Sequence, residues 1–128
     1  MRTIPLSEYR KQATALLLLL FLCILPRPSF GHAFPERAEP KVGSTVSASP
    51  RQVRIWFDGA LEPVFSTIVV HDTNGGRVDS GDGRVDPADP ALLEVSLPPL
   101  KPGTYRVLWN AAARDGHRTQ GEFTFTVK

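Results

Sequence analysis

Sulfur is almost missing from this chain: of 128 residues, one is cysteine and one is methionine. Both of them, Cys23 and Met1, fall in an N-terminal stretch that reads as a removable leader. The remainder therefore offers no disulfide, no thiolate ligand and no thioether for a soft ion such as Cu(I). A sustained helical period is missing as well, since beyond Gly43 the apolar residues fall in short alternating runs broken by Pro and Gly. So is a run of membrane length. Ala13–Leu25 ("ATALLLLLFLCIL") is apolar apart from Thr14, but its 13 residues fall short of the about 20 that a spanning helix needs.

That run has a basic segment before it (Arg2, Arg10, Lys11) and a breaker-rich exit, "PRPSFG", after it. Together these make the three-part pattern of a secretory signal peptide over residues 1–31, leaving 32–128 as a single exported domain not inserted in the membrane. An uncleaved N-terminal anchor is the competing reading, disfavoured by the short run. A lipid anchor on Cys23 is weak because bulky Leu22 precedes it inside the run. Ser29 and Gly31 put small residues at −3 and −1 of a cut before His32, while Gly31 and Ala33 do the same for a cut after Ala33. Both cuts stay open on the sequence.

A surplus of charge is also lacking once the leader is set aside. The whole chain carries 15 Lys and Arg against 13 Asp and Glu; four of the basic and one of the acidic residues precede His32. Residues 32–128 hold 11 against 12, a formal −1. Nucleic acid is thus not an expected partner.

What the chain does have is alternation. "QVRIWF" sets Val53, Ile55 and Phe57 on one side and Arg54 and Trp56 on the other, as a half-buried strand requires. "FSTIVVHD" (residues 65–72) reads as a second strand running into an "NGG" hairpin turn, and "ALLEVSLPPL" as another ending at Pro98. "KPG" (101–103) is a turn before "TYRVLWNAAA", which alternates Tyr105, Val107 and Trp109; "GEFTFTVK" alternates Phe123, Phe125 and Val127. The twice-occurring Gly-Arg-Val-Asp at 76–79 and 83–86 reads as two brief edge segments around a glycine turn. Evenly spaced strands between Pro/Gly turns predict an all-β Greek-key barrel or sandwich of about seven strands. Phe57, Phe65, Phe123 and Phe125 are its expected aromatic core.

Three histidines come after the leader: His32, His71 and His117. His71 closes a strand beside Asp72 and reads as a solvated rim residue. His117 ends Asp115-Gly116-His117, where an extended backbone would aim carboxylate and imidazole to one side. Alone, that tripeptide is only a polar turn. If His32 is the first residue of the mature protein, however, its α-amine and ring Nδ1 can close a six-membered chelate, and His117 adds a third nitrogen with Asp115 as an oxygen donor. Planar amine and imidazole sets suit Cu(II), which also heads the affinity order of the divalent ions; Zn(II), preferring a tetrahedron, ranks second. The α-amine, with a reference pKa of about 7.7–8.0, must lose its proton to bind, so affinity is expected to fall with pH. Ser44, Ser47 and Ser49 lack the surroundings of a catalytic nucleophile. "DSGDGRVD" departs from the spacing of an EF-hand calcium loop and reads as a solvated Asp/Gly turn.

The segments "HAFPERAEPKVGSTVSASPRQVRIWFDGALEPVFSTIVVHD" and "LPPLKPGTYRVLWNAAARDGHRTQGEFTFTV" resemble the CopC family of periplasmic copper-binding, copper-resistance proteins over essentially all of the chain after the leader. The resemblance implies a cupredoxin-like or immunoglobulin-like shape and one Cu(II) per chain, held by His32 through amine and ring, His117 through its ring and Asp115 through its carboxylate. It also implies an inner-membrane copper transport protein as candidate partner. Some members carry a second, methionine-rich Cu(I) site, for which this chain lacks the residues. One departure concerns an acidic residue that family members often place two positions after the strand-ending phenylalanine. Here Gly59 occupies that position and Asp58 stands one place earlier, so Asp58 is not counted as a ligand. The expectation is a non-enzymatic copper carrier or buffer. The alternatives are a copper-dependent oxidative enzyme built on a terminal histidine and an immunoglobulin-like interaction module without metal.

Overall fold

The computed structural model describes residues 33–128; the expected leader 1–31 and His32 lie outside the described residues. The strands are β1 (Pro35–Glu39), β2 (Thr45–Val46), β3 (Gln52–Phe57), β4 (Thr67–His71), β5 (Arg84–Val85), β6 (Leu92–Ser96), β7 (Gly103–Ala112) and β8 (Arg118–Val127). They form two four-stranded sheets, ordered β1-β3-β6-β5 and β2-β8-β7-β4. All pairings are antiparallel except β2 with β8, which is parallel. Sequence neighbours β3 and β4 lie in opposite sheets while β3 pairs with β6, the kind of crossing that a Greek key makes. The architecture is therefore a sandwich and not a closed barrel, with eight strands rather than about seven.

Alternation sets the core. Val53, Ile55 and Phe57 of β3 face Tyr105, Val107 and Trp109 of β7 and Phe123, Phe125 and Val127 of β8, all of them buried. Phe57 meets Trp109 edge to face at 5.3 Å between ring centroids, and Tyr105 stacks on Phe125 at 5.6 Å. Each fully buried aliphatic side chain contributes about 1.5–3 kcal/mol. The Tyr105 hydroxyl donates to the Lys101 carbonyl at 2.7 Å, tying the β6–β7 crossover to the start of β7 in the manner of a tyrosine corner. On the outer face of the first sheet, Arg54, Glu94 and Arg84 stand opposite one another across β3, β6 and β5, so alternating charge occupies the solvent side.

Phe65 departs from expectation. It is 56% exposed, because the chain makes a short 3-10 turn at Pro63–Phe65 and β4 begins only at Thr67. The inward positions of this stretch are Ser66, Ile68 and Val70, so Phe65 belongs to the outward phase, where its ring lies 5.4 Å from the Arg118 guanidinium. Buried Ser66 accepts the Ala112 amide on its hydroxyl at 3.1 Å, which satisfies the polar atom at that inward position.

The "NGG" turn forms as expected. Gly75 takes φ 83°, and one Asp72 carboxylate oxygen accepts the amides of Asn74 and Gly76. The returning chain pairs with β4 only at Arg77 opposite His71, then crosses to the other sheet as β5. The aspartates of "DSGDGRVD" are spent on backbone amides: Asp79 on Val70 and Gly81, Asp82 on Ser96. The stretch is thus an Asp/Gly turn as read, but Asp79 departs from the solvated reading, its side chain being buried against the β4 edge. His71 sits half-exposed at the end of β4, across from Arg106.

Candidate metal centre

The β7–β8 hairpin carries Asp115 and His117 at its tip. An extended backbone was expected there, but the chain turns. The Ala113 amide bonds the His117 carbonyl at 2.8 Å and the Gly116 amide bonds the Ala113 carbonyl at 2.9 Å, with Gly116 at φ 91°, a conformation that favours glycine. The carboxylate and imidazole still come together, by turn geometry instead of strand parity. Asp115 Oδ1 accepts the His117 amide at 2.9 Å and Oδ2 lies 3.0 Å from the ring Nδ1. The His117 side chain is 61% exposed and that of Asp115 only 11%, so the carboxylate backs the ring and the ring faces solvent.

Two other segments meet this tip. One is the connection from β3 to β4: the Arg114 amide bonds the Ala60 carbonyl at 3.2 Å, the Glu62 amide bonds the Ala112 carbonyl at 2.8 Å, and Leu61 bridges to Ala113. Leu61 is fully buried, which anchors the connection beneath the tip. The other is the start of the described chain. The Ala33 side chain is buried in the core, and its carbonyl accepts the Thr119 hydroxyl at 2.7 Å. Phe34 donates its amide to Asp58 Oδ1 at 2.7 Å and accepts the Asp58 amide on its carbonyl at 2.9 Å.

Of the three sequence-predicted ligands, the structure thus brings Asp115 and His117 into contact, while His32 lies outside the described residues. Among the described residues no three His, Cys, Asp or Glu side chains cluster closely enough to hold a metal ion. Asp58 and Thr119 bond the N-terminal arm at Phe34 and Ala33; the sequence reading singled out the first without counting it as a ligand and passed over the second. For Asp58 a signal existed, its place one residue before an expected acidic position. For Thr119 there was none.

Fold and tip together define a small two-sheet β-sandwich with a carboxylate-backed imidazole on the hairpin where the N-terminal arm docks. A family model described as the CopC domain matches residues 36–128, and the chain belongs to the CopC family. It is 35% identical over 113 residues to the copper transport protein CutJ of Bacillus subtilis, covering 88% of this chain and 21% of that one. The chain thus spans about a fifth of that relative's length. Among solved structures, CopC from Methylosinus trichosporium OB3b superposes with a TM-score of 0.70 at 34% identity, covering 76% of this chain and 94% of that chain. PcoC, a methionine-rich copper resistance protein from Escherichia coli, superposes with a TM-score of 0.65 at 32% identity, covering 77% and 100%. In methionine content this chain, with Met1 alone, differs from the latter.

Proposed function

We propose that this protein is a periplasmic, non-enzymatic Cu(II) carrier or buffer of copper homeostasis, exported by cleavage before His32. The set that holds the cargo is the amine and ring of His32, the ring of His117 and the carboxylate of Asp115, with one Cu(II) per chain. An inner-membrane copper transport protein is the proposed exchange partner. The observation that carries the reading is the Asp115–His117 contact, with Oδ2 3.0 Å from Nδ1 on a ring that is 61% exposed. Such a ring is oriented and reachable at once, as loading and release both require. Kinship with proteins named for copper transport and copper resistance supports copper as the cargo. The lack of methionine after the leader favours Cu(II) over Cu(I).

The test is intact mass of the secreted protein with and without one equivalent of Cu(II), alongside His117→Ala. The expected result is a chain beginning at His32 that gains one copper and loses it in the variant. A chain beginning at Phe34, or undiminished binding by His117→Ala, refutes the site.

A further inference from the structure

The two halves of the proposed ligand set lie far apart in the sequence, and one short segment touches both. Asp58, at the exit of β3, holds Phe34 through two reciprocal hydrogen bonds, at 2.7 Å to its side chain and 2.9 Å from its amide. Two to four residues later, Ala60 and Glu62 bond the backbone at Arg114 and Ala112, which brace the Asp115–His117 tip, while buried Leu61 pins the segment to the core. From the other side Thr119, two residues after His117, donates its hydroxyl to the Ala33 carbonyl at 2.7 Å. Ala33 is itself a core residue, 1% exposed. The arm is therefore fixed at a carbonyl, a side chain and two further backbone groups over two residues.

We propose that Asp58 and Thr119 are positioning residues for the metal centre: they hold Ala33 and Phe34, the arm that follows the proposed His32 ligand, before any metal arrives. The inference rests on the Cu(II) reading and adds two residues to it. With Ala33 and Phe34 held, those two residues need no further ordering when the proposed chelate forms. Each backbone residue that must otherwise be ordered on binding weakens affinity about tenfold, so a prefixed arm of two residues is the difference between a tight and a loose site. It also gives Asp58 a role other than direct ligation. Its Oδ1 accepts the Phe34 amide.

The experiment compares Asp58→Ala, Asp58→Asn, Thr119→Val, Thr119→Ser and His117→Ala, each as the secreted protein with its N-terminus read by mass. The Cu(II) dissociation constant is measured by chelator competition, the EPR spectrum of the copper form is recorded, and the melting temperature is taken without metal. Asp58→Ala and Thr119→Val are expected to bind Cu(II) about 10- to 100-fold more weakly, with EPR parameters shifted toward fewer nitrogen donors. Asp58→Asn keeps an oxygen acceptor and Thr119→Ser keeps the hydroxyl, so both should stay within about threefold of the parent. A ligand role for Asp58 predicts instead that Asn is as damaging as Ala, and that result overturns the proposal. So does parental affinity and spectrum in both Asp58→Ala and Thr119→Val while His117→Ala abolishes binding, which leaves the Cu(II) site standing. If His117→Ala binds like the parent, the site itself falls and the positioning role with it.

Discussion

Replacing Asp79 with alanine tests how the exposed edge of the second sheet is sealed. β4 is an edge strand of its sheet, and Asp79 fills one of its open backbone positions: Oδ2 accepts the Val70 amide at 2.8 Å and Oδ1 accepts the Gly81 amide at 2.8 Å. Arg77 closes the outside with a contact of 2.8 Å to Oδ1, and the carboxylate has no exposed side-chain surface. Burial would raise the Asp79 carboxyl, but the Arg77 bond and the two amides outweigh it and hold the pKa below the ordinary carboxylate value. Alanine removes every acceptor at once. The Val70 amide, on a residue with no exposed surface, is left without its partner, at a cost of about 1–3 kcal/mol. With the exposed guanidinium regaining its hydration, the loss falls on the amides, and the midpoint of about 2 kcal/mol lowers the melting temperature by about 8–16 °C in a domain of this size. The sign of the pH dependence comes from the depressed value. Asp79 stabilises fully above the unfolded carboxylate pKa of about 4, and its contribution is lost as pH falls through the lower folded value. Asp82 acts in the same sense, because the Ser96 hydroxyl and amide hydrogen-bond its carboxylate. Urea denaturation across pH 2 to 7 is the assay: Asp79→Ala should be destabilised at pH 7 and converge toward the parent in acid. A loss below about 0.5 kcal/mol at pH 7, or no convergence, refutes the sealing role.

Three further outcomes are expected. A methyl group at Gly121 would stand 2.7 Å from the Trp109 ring, so Gly121→Ala should cost about 1–3 kcal/mol in urea denaturation and shift the tryptophan emission. Leu61→Ala empties a fully buried position under the metal-centre hairpin and should cost about 2–5 kcal/mol, read by thermal melting of the metal-free protein. Stoichiometric Cu(II) should quench part of the tryptophan emission, because Trp109 stands on the strand leading to Asp115 and His117; full occupancy without quenching places the metal elsewhere.

Where a strand is half-buried, its two-residue alternation already contains the fold. β3, β7 and β8 bury the side chains their patterns marked, and the Asp/Gly punctuation marked the turns. The misplacement of Phe65 came from reading hydrophobicity without phase: Ile68 and Val70 point inward, so an odd-numbered neighbour points out. Asp115 and His117 were legible as a pair because a single residue separates them, and a turn serves the contact as well as a strand. Asp58 and Thr119 were not legible as a pair of clamps. Their bonds join residues 24 and 86 positions apart, and no local pattern encodes such a meeting.

The span from Ala33 to Thr119 also has a kinetic meaning. A hydrogen bond across 86 residues closes nearly the whole domain into one loop, and contacts of that separation form only after much of the chain's entropy has been surrendered. Docking of the arm is therefore expected to come late, after the sandwich it lies against. On the proposed Cu(II) reading, occupancy of the centre then becomes a report that the entire domain has been assembled.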